Sequence, residues 1–232
     1  MTRLTLALFT SLLASFVLAA PAHSYPTLVR LRIEGNKGTI FDRIVLTRGH
    51  SIKTASGDRH CCDGTNNHAE PVPGPTALAA LDDASRIGHF TWNGTWFSNF
   101  EDYLVTTVAG VPAVQNDSEF WHLILNYIDA PVGGCQLRVK LFDEVLFAYG
   151  AVNKTLKLSG PRETRIGVPV TLTVTDGATG APVAGALVGH EVSDVDGHVS
   201  VAFFSTGSKD LKAEKSDAIR SRRHSVKVKP NP

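Results

Sequence analysis

Gly74–Phe97 reads GPTALAALDDASRIGHFTWNGTWF, and the fold turns on the change of period inside it. Leu78, Leu81, Ala84 and Ile87 recur at helical spacing. Pro75 or Thr76 can start that helix and Gly88 is placed to end it. After His89 the pattern becomes that of a strand, and Asn93-Gly94 between aromatic residues is a strong signal for a tight two-residue hairpin. In such a hairpin Trp92 and Trp96 point to opposite faces. One then packs on the helix stripe of Leu78, Leu81 and Ile87, and the other stays exposed. The adjacent carboxylates Asp82 and Asp83 diverge by about 100° on a helix and belong to its solvent face.

Outward from this stretch the chain is strand-rich. TLVRLRIEGNKGTIFDRIVLTRG (27–49) alternates apolar and polar residues around an Asn36-Lys37-Gly38 turn, the pattern of a β-hairpin. His50 to Pro75 is rich in Gly, Asn, Pro and His and reads as a long loop, pinned or functional. Further strands are expected at Tyr103–Ala109, Phe120–Tyr127, Gln136–Lys140, Glu144–Tyr149 and Thr155–Leu158. One helix among many strands is an α+β layout. Residues 159–167 read as a linker, because apolar periodicity stops there. Beyond them, short strands broken by turn dipeptides make 168–232 an all-β unit, a small β-sandwich.

The first 24 residues carry a single Arg3, an apolar run from Leu4 to Ala20 and a small-residue cleavage site, the pattern of a secretory signal peptide. No later segment is long enough to span a membrane. Without Arg3 the basic and acidic residues balance, so nothing in the bulk charge draws the chain to nucleic acid. Charge is unevenly spread, however. Arg86 is the only basic residue from Cys62 to Leu104, whereas 207–229 holds eight Lys or Arg against three acids. Three glycosylation sequons start at Asn93, Asn116 and Asn153.

HCCDGTNN (60–67) holds two of the three cysteines. Cys61 and Cys62 are adjacent and lack the paired spacing of zinc ligands or a dithiol redox site. His60, Asp63 and His68 do not complete a metal set. In an oxidising compartment Cys135 pairs with one of the two, which leaves the third cysteine over. Asp194 and Asp196 do not make a calcium loop, since Val199 and Ser205 stand where Gly and Glu are needed. No phosphate-binding or G-x-S-x-G motif is present, and no cofactor is expected. The aromatic cluster Phe90, Trp92, Trp96, Phe97, Phe100 and Tyr103 holds a third of the chain's aromatic residues and offers a stacking surface for a flat ligand or a sugar.

FWHLILNYIDAPVGGCQLRVKLFDEVLFAY (120–149) resembles the transcobalamin-like C-terminal domain family. Trp121, Asn126, Gly133-Gly134 and Asp143-Glu144-Val145 with Phe147 match its pattern, and Phe142 stands where the family has Gly. Residues 27–158 look like a fungal secreted branch of that family, in which TIFD, CDGTNN, PGPT, ALDDA and GGCQ recur as blocks. The resemblance implies Cys62–Cys135 as the disulfide, with Cys61 extra, and adds Trp121 to Trp92 and Trp96 as ligand-contact candidates. It does not carry cobalamin binding across, because the large helical domain that shares the vitamin is missing. Pro169 to Val228 is similar to carboxypeptidase-regulatory-like and immunoglobulin-like domains through VTDGATGAPVAGALV and SDVDGHVSV. The expectation is therefore an extracellular, wall-associated or free, non-enzymatic binding or surface-recognition module for a small molecule or a polysaccharide partner. The alternatives are a small hydrolase using carboxylates near the aromatic cluster and a structural wall or matrix protein.

Overall fold

The computed structural model describes residues 25–114, 119–150 and 154–232. The segment read as a signal peptide, the Asn116 sequon and Asn153 itself lie outside them. The fold is mostly β with one α-helix among the described residues.

Alternation along 27–47 gives β1 (Thr27–Glu34) and β2 (Thr39–Thr47), paired as the expected antiparallel hairpin. The next 26 positions are more ordered than the loop expected there. They form a hairpin of β3 (His50–Lys53) and β4 (Arg59–Cys62), then a 3-10 turn at Asn66–His68. The helix, α1 (Ala77–Gly88), is capped by the Thr76 side chain, which accepts from the Ala79 amide. Its last residue is Gly88, as expected, but the left-handed cap falls on His89 at φ 53°. Gly88 serves packing instead, since a Cβ there would meet Phe90 and Phe41. Ala77, Leu78, Ala80, Leu81 and Ala84 are buried against β1 and β2, whereas Ile87 is 45% exposed and falls off the stripe.

β5 (Trp92–Phe97) and β6 (Asp102–Val108) then pair. This corrects the position of the turn. Asn93-Gly94 lies inside β5 at a register shift, and the chain reverses at 98–101. β7 (Val111–Pro112) pairs with the end of β6. β8 (Trp121–Leu125), β9 (Ile128–Asp129) and β10 (Glu144–Tyr149) complete a five-stranded sheet in the order β2-β1-β10-β8-β9, with β1 and β10 parallel. Residues 136–140 are not a strand. Cys135 and Gln136 give their amides to the Asp102 carboxylate, Ala77 and Val139 bond across to Leu137 and Pro75, and only a single bridge from Thr76 to Arg138 remains.

A second core follows, built from short strands. It comprises β11 (Leu156–Ser159), β12 (Glu163–Arg165), β13 (Val170–Asp176), β14 (Leu187–Val188), β15 (Glu191–Val192), β16 (His198–Val201), β17 (Gly207–Leu211), β18 (Ala213–Glu214) and β19 (His224–Lys229). They form three-stranded sheets in the orders β11-β13-β16, β12-β19-β17 and β15-β14-β18. The span 159–167 is not a bare linker. Leu156 and Leu158 already pack into the second core, Ser159 pairs with Thr173, and β12 runs parallel to β19.

The two cores are locked together. Ile219 of the second joins Ile124, Leu146 and Ala148 of the first in a small buried cluster. Beside it, the Glu34 carboxylate is buried under Lys212 Nζ at 2.8 Å and Arg220 Nη2 at 2.9 Å, with Arg32 Nη1 at 3.1 Å from its own strand. A carboxylate this enclosed is stable only because every lone pair has a donor.

Candidate functional site

The 98–101 turn is pinned by the HCCDGTNN loop. Asn66 Nδ2 donates to the carbonyls of Cys61 and Glu101, and the Asn67 amide donates to the Glu101 carboxylate. Cys62 and Cys135 are joined, with Cα atoms 4.5 Å apart, which ties this loop to the segment after Gly133-Gly134. Gln136 Nε2 donates to the Phe100 carbonyl at 2.9 Å. Asp102 is buried and accepts amides from Tyr103, Cys135 and Gln136. Gly133 is required at this point, because a Cβ would run into the Asp102 carboxylate.

This scaffold presents two different faces of the β5–β6 ribbon. On the inner face Trp92, Gly94 and Trp96 share one side, since residues two apart in a strand point the same way. The expectation of opposite faces fails because no hairpin turn separates the two tryptophans. Both indoles meet Tyr103 edge-on, at 6.1 and 4.9 Å between centroids, and His60 of β4 stacks on Trp96 at 4.0 Å and 3°. Tyr103 is buried and its hydroxyl donates to the Ile52 carbonyl. Both tryptophans are half-buried against the first core, Trp96 beneath His60 of the β3–β4 hairpin.

Asp82 and Asp83, expected on the solvent face, flank one imidazole. His50 Nε2 lies 2.9 Å from Asp82 Oδ2, and His50 Nδ1 lies 3.9 Å from Asp83 Oδ2. Trp92 Nε1 donates to Asp82 Oδ1 at 3.1 Å, and Arg86 pairs with both carboxylates. The bond to Asp82 raises the His50 pKa more than burial lowers it. Burial pushes Asp82 up, but His50, Trp92 and Arg86 outweigh it and leave it lowered. Burial leaves Asp83 raised. Both Asp82 oxygens are thus engaged in holding His50 and Trp92.

The outer face is different. Two adjoining hollows, of about 570 and 270 Å³, share Tyr103, Leu104, Ala130, Val132 and Gly133 and form one groove. Phe97, Phe100, Leu104, Val132 and Phe120 line it and are each at least 40% exposed. Trp121 forms part of its floor. It is 5% exposed, with Nε1 bonded to the Val111 carbonyl and its ring edge-on to Tyr149. Next to it His122 stacks on Phe120 at 4.1 Å, burial lowers its pKa, and its Nε2 has no partner among the described residues. Of the three tryptophans named from sequence, the groove therefore takes only Trp121. Leu104, Phe120, Val132 and His122 were missed. His122 had a signal, as the one imidazole inside an apolar strand.

Asn93 sits half-buried in β5, its Oδ1 taking the Gly94 amide. Among the described residues no group of three or more His, Cys, Asp or Glu side chains is placed to hold a metal ion, and no helix is long and apolar enough to cross a membrane. No family model, curated protein or solved structure matches the chain.

Proposed function

We propose that this chain is an extracellular, non-enzymatic recognition module that takes a small ligand with an apolar body in the groove on the outer face of β5 and β6. The observation that carries the reading is the continuous exposure of Phe97, Phe100, Leu104, Val132 and Phe120 along one hollow. Large apolar side chains gathered on a soluble surface mark an interaction site, and the hollow is of the size that small organic ligands fill. Its rim is fixed in advance by the Cys62–Cys135 bridge and by Asp102, so binding costs little ordering of the protein. The disulfide suits an oxidising compartment, as does the leader-like segment at residues 1–24. The resemblance of 27–158 to the transcobalamin-like family, and of 169–228 to immunoglobulin-like modules, supports the recognition role by analogy only.

The test uses N-phenyl-1-naphthylamine, a neutral apolar fluorophore. Saturable fluorescence enhancement is expected with the folded protein and loss of it with Leu104→Glu, a substitution at an exposed position that leaves the melting temperature near the parent's. Equal enhancement by both proteins, or none with the parent, overturns the reading.

A further inference from the structure

A second hollow has the opposite chemistry. Between the two cores lies a cleft of about 560 Å³, whose walls are Asp42, Glu144, Arg30 and Tyr127 from the first core and Lys157, Arg162, Arg222 and Arg223 from the second. Five cations thus face two carboxylates in a chain whose overall charge is only +1.

The pairing inside the cleft is incomplete. Arg222 spans Asp42 and Glu144 at 3.5 Å each, and Arg30 reaches Glu144 at 3.8 Å. Arg223 is paired to Asp210 at 3.3 Å. Lys157 and Arg162 are exposed and form no ion pair among the described residues. Asp42 shows the complementary defect: its side chain is 10% exposed, and its Oδ2 has no hydrogen-bond partner among the described residues. The cleft therefore offers unmatched positive charge at its mouth, while the unmatched Asp42 oxygen is enclosed in the wall behind it. Field lines concentrate in such a cleft, which favours an anion over a neutral ligand.

An aromatic ring completes the set. Tyr127 has a left-handed backbone, φ 70°, unusual for a bulky residue and affordable only where the surroundings enforce it. That turn carries its ring across to the second core, where Lys157 Nζ stands 5.8 Å from the ring centroid. Guanidinium and ammonium groups for carboxylates, acidic acceptors for hydroxyls and an aromatic ring are together the chemistry that recognises a charged sugar.

We propose that this cleft binds an anionic saccharide, a sugar chain bearing carboxylates. The proposal is independent of the apolar groove and stands or falls apart from it. The test is calorimetric titration of the full chain at low ionic strength with three probes: a short oligogalacturonate, a neutral oligosaccharide of equal length and inorganic phosphate. The expected result is saturable binding of the oligogalacturonate alone, weakened at least tenfold in Lys157→Glu/Arg162→Glu and weakened by added salt. Both residues are exposed and lack ion-pair partners, so the double variant should melt like the parent. Phosphate binding as tightly as the saccharide would reduce the site to a simple anion cleft and overturn the saccharide assignment. Equal binding of the neutral sugar, or an unchanged affinity in the double variant, also overturns it.

Discussion

Tyr127 lies so close over Gly177 that a Cβ at Gly177 would overlap its ring. The contact joins the β8–β9 turn of one core to the end of β13 in the other, and the Gly177 amide is itself bonded to the Thr155 carbonyl at 2.8 Å. Gly177→Ala should therefore act as an overpacking substitution at the interface, costing about 1–3 kcal/mol. Thermal unfolding measures it. Because the clash is with one ring, Tyr127→Ala in the same chain should absorb part of the penalty, and the two effects should fail to add.

The Glu34 cluster is the polar half of the same junction. Burial pushes the Glu34 pKa up, but Arg32, Lys212 and Arg220 more than reverse it, and the net direction is down. A carboxylate with a lowered folded pKa contributes stability above its unfolded value, here 4.5, and loses it as pH falls through the folded value. Denaturation midpoints measured downward from pH 6 should stay level until about pH 4.5 and then drop. In Glu34→Ala, which leaves three cations facing no carboxylate and costs about 3–5 kcal/mol, that acid-side drop should shrink.

The features legible in the sequence were those set by local periodicity. Alternation gave β1 and β2, helical spacing and Thr76 gave α1, and Val145 and Phe147 lie in a strand with the boundaries read for it. What failed depended on long-range partners. Asn93-Gly94 carries the chemistry of a turn, yet Thr54 Oγ1 donates to the Gly94 carbonyl at 2.9 Å and β6 pairs along the whole of β5, so tertiary bonding keeps it extended. The chain reverses at 98–101 instead. A later turn, between β8 and β9, falls on Asn126 and Tyr127, both with positive φ, and no sequence rule places a tyrosine there. Gln136–Lys140 has a strand's composition but surrenders its first amide to Asp102, 34 positions away. The groove was half visible through Phe97 and Phe100. Leu104 and Val132 join them only once β6 is set beside the Pro131-Val132-Gly133 segment, a neighbourhood that no spacing encodes.

His50 and Asp82 make a pH-dependent pair at the base of the aromatic wall. The His50 pKa is raised, so its contribution to stability is full below 6.5 and is lost as pH rises through the raised value. Asp82 is lowered and bounds the pair on the acid side. The His50 ring resonances should titrate above 6.5 by NMR. Asp82→Asn removes the largest raising influence and should bring that titration down. Trp92 Nε1 shares the same carboxylate, so its indole N–H resonance should follow the His50 titration in the parent and cease to do so in the variant.

Cys61 and Cys62 are neighbours with opposite fates. Strand alternation points Cys62 inward, where it is buried and joined to Cys135, and Cys61 outward as an exposed free thiol. Non-reducing peptide mapping should return Cys62 linked to Cys135 and Cys61 alone. The bridge closes 73 residues, so Cys62→Ser/Cys135→Ser should cost about 4 kcal/mol on the chain-entropy view. Exposure does not make Cys61 reactive. Burial of its sulfur and the nearby Asp63 carboxylate, to which the thiol donates at 3.1 Å, push its pKa up to about 11. The thiolate is the nucleophile, so iodoacetamide at pH 8 should modify Cys61 far more slowly than a free cysteine. Asp63→Asn removes the charge and keeps much of the shape, and alkylation should then accelerate severalfold. A Cys61 that reacts at the free-cysteine rate in the parent, or a rate unchanged by Asp63→Asn, would show that the carboxylate does not govern this thiol.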